Sequence, residues 1–428
     1  MDTREQYARY VLPVVAQGVE PIVVAGARGR TVTDVEGKTY LDCFSGISVV
    51  NAGHNHPRIL EAARAQMEQL VHCCSYVYHV PVVGQLAEQL AAVTPGDLQK
   101  SFFATSGAEA VEGAMRLAKQ ATGRRELVAL ACGFHGRTLG TLSITGNSAR
   151  KKNNGPYMPG VAFGPAPYCY RCPLGLEYPS CDVACAHALR DVVKQQTSAD
   201  VAAFIVEPIL GEGGIVTPPA EYLSIADRIF HENGALLIVD EVQTGFGRTG
   251  KLFGVEHFPD VRPDILTMAK GIADGFPLGA FTAREPVSDA MKPGDHLSTF
   301  GGKPISCAAA LANLAVLEEE NLVENAARRG AELLTRFRKL QEKYPLIGDV
   351  RGRGLMIGLE LVRDRKTKEP AAREASALRA AMRERGVLVG VGGLLANVLR
   401  IQPPLSITPD ECVRVGDLLD EALESLRQ

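Results

Sequence analysis

The sequence predicts an α/β protein with a mostly parallel sheet, and three short, largely apolar runs carry that prediction. Residues 235–239 (Ala-Leu-Leu-Ile-Val) lie between Asn233-Gly234 and the acidic pair Asp240-Glu241. Residues 264–269 end in Lys270-Gly271, and residues 201–206 end in Glu207-Pro208. Strands buried on both faces of a parallel sheet read as such runs, without polar alternation. Each run delivers a charged side chain at its carboxyl end, the edge of an open α/β sheet where ligands bind.

Asp240 and Lys270 at neighbouring strand ends suit pyridoxal phosphate. The lysine can form a Schiff base with the aldehyde, and the carboxylate can hold a proton on the ring nitrogen. A structural ion pair at the sheet edge is the plain alternative, and these two residues alone do not decide between them.

Composition excludes several classes. At 428 residues, with 46% hydrophobic and 22% charged content, the chain is long enough for one large domain and one smaller one. A net charge of −3 without a polybasic run gives no reason to expect nucleic acid or an anionic membrane as partner. No apolar run approaches the roughly 20 residues that span a bilayer, and the N-terminus lacks the apolar core of a secretory signal. The expected compartment is the cytoplasm, where the ten cysteines stay mostly reduced.

In chain order, residues 20–43 alternate apolar and polar positions, with Glu36-Gly37 marking a hairpin turn. Residues 44–57 form a glycine-punctuated loop, in which His54 and His56 are read as loop hydrogen-bonding residues rather than metal ligands. A helix follows over 57–70, placing Ile59, Leu60, Ala63, Met67 and Leu70 on one face. Residues 101–105 form a strand, Ser106-Gly107 breaks it, and 108–119 form a helix with Val111, Ala114, Met115 and Ala118 at core spacing. That helix N-terminus is a ready phosphate seat, although Ser106 acting only as an N-cap explains the pattern equally well. A strand over 127–131 leads to Gly133-Phe134-His135-Gly136-Arg137, where Phe134 is either a stacking face for a planar ring or a core aromatic. Glu207 is followed by the flexible stretch Gly211-Glu212-Gly213-Gly214. Helices over 308–318 and 326–340 cross to a C-terminal part with a strand over 351–360, an alanine-rich helix over 371–382, and the segment 397–405 carrying Arg400.

Six motifs occur in order: Ser106-Gly107-Ala108-Glu109-Ala110, Phe134-His135-Gly136-Arg137-Thr138, Glu207-Pro208, Asp240 to Gly250, Lys270-Gly271, and Ser298-Thr299-Phe300-Gly301-Gly302. Together they resemble the class III aminotransferases of the fold type I pyridoxal-phosphate enzymes, over nearly the whole chain. The resemblance implies a large domain with a mostly parallel seven-stranded sheet and a small α/β domain formed by both termini. It divides the chain into an N-terminal segment 1–56, a large cofactor-binding domain 57–302, and an interdomain helix with C-terminal small domain 303–428. It implies that Lys270 carries pyridoxal 5′-phosphate and that Asp240 pairs with the pyridine nitrogen. Gln243 lies near the ring hydroxyl, Phe134 with His135 beside it covers one ring face, and Val242 covers the other. Ser106, Gly107 and Ala108 hold the phosphate, and Glu207 joins the cofactor edge. Thr299 reaches the phosphate of a neighbouring subunit, so a homodimer or dimer of dimers is implied.

The implied reaction is ping-pong transfer of an amino group from an ω- or α-amino acid to a keto acid such as 2-oxoglutarate, pyruvate or glyoxylate. Arg400 binds a substrate carboxylate, Glu212 pairs with Arg400 when the substrate end there has none, and Arg137 either holds a distal carboxylate or forms an ordinary ion pair. A lyase, racemase or decarboxylase on the same framework is the alternative. Cys169, Cys172, Cys181 and Cys185, spaced C-x2-C-x8-C-x3-C, are compatible with a structural metal, an iron–sulfur cluster, reduced thiols or a local disulfide, and no residue is assigned to a metal.

Overall fold

Seven strands form the central sheet, in the order Leu98–Ala104, Gly279–Arg284, Ile265–Met268, Leu236–Asp240, Val201–Val206, Glu126–Leu130, Val161–Gly164. The structure is a computed structural model and describes residues 1–14 and 20–426. Five strands, from Ile265–Met268 to Val161–Gly164, are parallel to one another, and Gly279–Arg284 runs antiparallel to both of its neighbours. All six residues of Val201–Val206 are buried, which is why that run is apolar without alternation. Helix Gly107–Thr122 covers one face. Ser106 caps its start by accepting from the Glu109 amide at 3.3 Å, and Gly123, at φ 68°, ends it in the left-handed region. Its expected core positions Val111, Ala114, Met115 and Ala118 are buried, and Ala110, Gly113 and Leu117 join them.

Chain ends meet in two further sheets. Strands Val24–Arg28, Thr31–Asp34 and Thr39–Asp42 form an antiparallel ribbon that Val387–Leu388 extends in parallel from the far end of the chain. The turn expected at Glu36-Gly37 joins Thr31–Asp34 to Thr39–Asp42. A second antiparallel sheet runs Ile347–Arg353, Met356–Asp364, Val398–Ile401, Gly390–Gly392, with Glu369–Pro370 pairing alongside. Helices Pro304–Glu319 and Leu322–Lys343 lead into it. One apolar core runs through all of these parts, from Leu41 and Ile59 through Phe204, Val239 and Ile305 to Leu399 and Val415.

Three expectations are corrected. The single strand over 351–360 is two antiparallel arms, because the chain reverses at Gly354-Leu355 between Arg353 and Met356. Helix Pro57–Gln69 buries only Ile59 and Ala63, while Met67 is 48% exposed: the apolar stripe is wider than the face the core covers. The loop over 44–57 contains one short turn, Ser45–Ser48, whose residues have positive φ. A further helix, Pro81–Val93, lies outside the sequence expectations and buries Leu86 and Leu90.

Candidate active site

Three adjacent parallel strands place Glu207, Asp240 and Lys270 at one edge, since Val206 is in register with Val239 and Asp240 with Thr267. Asp240 is 3% exposed. Its Oδ1 accepts from the Val242 amide at 3.0 Å and the Thr267 hydroxyl at 3.2 Å, and its Oδ2 accepts from His135 Nδ1 at 2.7 Å. His135 is itself buried, and its Nε2 has no partner among the described residues. It stands against the aspartate, a contact that the sequence reading, which had it beside a ring face, did not foresee.

Glu207 accepts from the Phe134 amide at 2.9 Å and the Gly211 amide at 2.8 Å, so it ties the Phe134 turn to the Glu212 loop. Burial pushes its carboxyl up to about 7, with Asp240 adding to that and His135 opposing it. Lys270 begins a short 3-10 turn at φ 35°, a strained conformation for a lysine that Asn313 supports by donating to the carbonyls of Gly271 at 2.8 Å and Ile272 at 3.1 Å. Desolvation holds the Lys270 amine below its ordinary value, against the pull of Asp240 and Glu207, and among the described residues no acceptor bonds it.

Gly107 closes the site from the helix side. A Cβ there would stand 3.0 Å from Val242, so the helix N-terminus and the segment after Asp240 touch. Ala108 follows in the first turn, and Ser106, exposed, is the N-cap that the plain alternative required. Phe134 is half-buried, Arg137 is exposed in the turn leading into helix Leu139–Ile144, and Thr299 is exposed.

The opposite wall comes from the second antiparallel sheet. Arg400, on Val398–Ile401 and 3% exposed in its side chain, donates from Nη1 to Glu212 at 2.9 Å and from Nη2 to Gln243 at 3.3 Å. A Cβ on Gly211 would strike the Gln243 amide, so this glycine lets the loop pass beside it. Glu212 also accepts a bond from Arg150, a residue the sequence reading did not single out and for which no motif was available. Burial alone would raise the Glu212 carboxyl, but Arg400 and Arg150 outweigh it and hold it below the usual carboxylate range. Arg351 props the loop from behind by donating to the Gly214 carbonyl at 2.7 Å and to Glu360 at 2.8 Å.

A family model described as aminotransferase class-III matches residues 14–423. The chain belongs to the class III aminotransferases. It is similar to the leucine/methionine racemase of Thermococcus litoralis, at 39% identity over 99% of this chain and 94% of that protein. It is also similar to the acetylornithine aminotransferase of Methanothermobacter thermautotrophicus, at 41% identity over 95% of each. A solved amine transaminase from an uncultivated Pseudomonas species, in its PLP-bound form, matches with a TM-score of 0.92 and 34% identity over 97% of this chain and 98% of that one. The fold is therefore that of the fold type I transferases, and the protein is a PLP-dependent aminotransferase.

The residues present fit that cofactor. The Lys270 amine is desolvated and unbonded, a buried carboxylate braced by His135 faces the same cleft, and the capped helix has glycine at its first position, where a side chain would crowd Val242.

Outside the site, His54 bonds Asp42 at 2.8 Å and His56 bonds Glu320 at 3.1 Å, the loop roles expected of them. Cys169, Cys172, Cys181 and Cys185 are free and line one narrow cavity with Tyr168. Burial raises the thiols of Cys169 and Cys185 above the ordinary range, with the neighbouring thiols adding to it. Among the described residues no group of three or more His, Cys, Asp or Glu side chains is disposed to hold a metal.

Proposed function

We propose that this aminotransferase moves amino groups between an ω- or α-amino acid and a keto acid such as 2-oxoglutarate, pyruvate or glyoxylate, with Arg400 reading a substrate carboxylate and Glu212 masking it. The observation that carries this is the desolvated Arg400–Glu212 pair at 2.9 Å. A guanidinium so placed presents two parallel donors to a carboxylate, and a neighbouring glutamate neutralises it when a carboxylate-free end must lie there. Pyridoxal phosphate, when bound, supplies the carbonyl that takes up the amino group and a ring that draws electrons from the substrate Cα.

The chain's own residues do the rest. Lys270 would hold the cofactor, and its amine, once freed and kept unprotonated by desolvation, would carry the proton between the substrate Cα and the cofactor C4′. Asp240, oriented by its contact with His135 at 2.7 Å, would hold a proton on the ring nitrogen. Phe134 and Val242 would shield the two ring faces and Gln243 would lie near the ring hydroxyl, while Glu207 fixes the turns on either side. Ser106, Gly107 and Ala108 would hold the phosphate at the helix N-terminus, and Thr299 of a second copy would join them. Arg137 is free to meet a distal carboxylate. A homodimer is supported by the exposure of Leu297 and Phe300 beside Thr299, at 61% and 58%. The ten free cysteines suit the cytoplasm, and no helix of the described residues is long and apolar enough to cross a membrane. A division at residues 56 and 302 would separate the N-terminal ribbon, the segment that holds the large sheet, and the helices that lead into the second antiparallel sheet.

Racemisation is a second reading, favoured by the similarity to the Thermococcus litoralis racemase. It needs the same proton transfer at Lys270 with return of the proton to the opposite face. Steady-state kinetics of Arg400→Gln on a panel of amine donors and the three keto acids tests the proposal. KM for keto acids and α-amino acids should rise about tenfold to a thousandfold, while carboxylate-free amines are spared. Equal losses on every substrate would mean that the carboxylate is read elsewhere, and inversion of a single-enantiomer amino acid without any keto acid would establish the racemase reading.

A further inference from the structure

Glu212 is held from both sides. Its Oε2 accepts from Arg400 Nη1 at 2.9 Å on the inner side, and its Oε1 accepts from Arg150 Nη2 on the outer side. Exposure rises along this line: 3% for the Arg400 side chain, 17% for Glu212, 52% for Arg150. We propose that Arg150 is a positioning residue that retains the Glu212 carboxylate when a substrate carboxylate takes its place on Arg400. The inference rests on the reading of Arg400 and Glu212 given above and adds a residue to it.

Charge balance is the first reason. With Glu212 on Arg400, the three side chains carry two positive charges and one negative. An arriving carboxylate completes the balance, and Glu212 exchanges one partner while keeping the other. Without Arg150, the same arrival would leave two carboxylates for one guanidinium, and the displaced Glu212 would have no cation in a partly desolvated place.

Anchoring is the second. Arg150 stands on the turn Ser148–Lys151, whose N-cap Asn147 accepts from the Ala149 amide at 3.1 Å and donates its own amide to the Gly133 carbonyl at 3.2 Å. The next residue, Lys151, lies over the rings of Tyr157 and Phe163 at 4.8 and 4.7 Å. The Glu212 loop is likewise pinned at both ends, by Glu207 at Gly211 and by Arg351 at Gly214. What is left to move between the two guanidinium groups is the Glu212 side chain.

The test is a double-mutant cycle in the holoenzyme, read on whichever of pyruvate, glyoxylate and 2-oxoglutarate the native enzyme turns over fastest. Arg150→Gln should raise KM for that keto acid about threefold to tenfold, the scale of a half-exposed ion pair to a carboxylate, with kcat held within about twofold. Arg150→Lys should recover most of the loss, since a point charge at the same position still retains the carboxylate. In a Glu212→Gln background, where no charge is displaced, Arg150→Gln should change KM less than about twofold. An equal KM increase in both backgrounds would overturn the proposal, because Arg150 would then act on the substrate itself. Joint loss of kcat and melting temperature without rescue by lysine would also overturn it. Arg400→Gln run alongside separates the two ideas. If its KM is unchanged, the reading of Arg400 falls. If its KM rises while that of Arg150→Gln does not, only the role of Arg150 falls.

Discussion

The central sheet carries a buried aspartate with a histidine partner at each of its two edges, and the two pairs are finished differently. At the amino edge, Asp264 accepts from His231 Nε2 at 2.8 Å, from Arg284 Nε at 2.5 Å and from the Leu237 amide at 2.7 Å. His231 Nδ1 also stands 2.8 Å from Asp227 Oδ1, a second ion pair. Both groups take the shift that pairing dictates: Asp264 is held below the usual carboxylate range, burial being outweighed by His231 and the Leu237 amide, and hydrogen bonds to Asp227 and Asp264 push His231 up to about 10. At the carboxyl edge, Asp240 has its histidine at 2.7 Å, but that histidine keeps a buried ring nitrogen without a partner. Beside it stand a carboxyl raised to about 7 and an amine held below its ordinary value. A saturated pair at one edge and an unsaturated one at the other separate the structural use of an Asp–His contact from the chemical use.

The same substitution at the two edges should give opposite outcomes. Asp240→Asn should slow amino transfer by about a hundredfold to ten-thousandfold, as should Lys270→Ala, while the melting temperature changes little, because an amide at 240 cannot hold the ring proton. Near-native turnover in either variant would remove that residue from the chemistry. Asp264→Asn should do the reverse and cost about 1–3 kcal/mol of stability, discounted because Arg284 and His231 are partly exposed and can be rewetted, with kcat within about twofold. Denaturant unfolding of the two variants side by side reads the difference.

The smallest effect is in pH. His231 has a folded value, about 10, above its ordinary 6.5, so the fold binds the proton more tightly than the unfolded chain. Its contribution is complete below about pH 6.5 and is lost as pH rises toward about 10. Melting temperature should therefore decline over that window, and the decline should be shallower in His231→Gln. Parallel curves would mean that the amino-edge pair does not titrate as a unit with folding.

Much of the carboxyl edge was legible in the chain. Glu207, Asp240 and Lys270 each follow a short apolar run, and a run ended by a charge reports where a buried strand stops without reference to any other part of the molecule. The N-cap at Ser106 and the hairpin at Glu36-Gly37 were legible for the same reason, because capping and turn geometry reach only a few residues. The reversal within 347–364 is marked in the chain by Gly354, at φ 52°, but the glycines at 352 and 354 leave open which of them turns the strand, and only the pairing of Arg353 with Met356 decides it. The helix over 57–69 was read with too broad a core face, since periodicity shows which side is apolar and not how much of it the neighbours cover.

Residues far apart in the chain supplied what could not be read. His135 and Asp240 are 105 positions apart, Arg150 and Glu212 are 62, and Glu212 and Arg400 are 188. The strand ends, the capped helix and the order of motifs could be read from the chain, because strand burial, capping and turn chemistry are decided within a few residues. Which histidine braces Asp240, that Glu212 is shared by two arginines, and that Asp264 is saturated while the partner of Asp240 is not all came from packing. A charged side chain can bond any complementary group brought within about 3 Å, and which group arrives depends on how the sheets and helices pack, which no local pattern records.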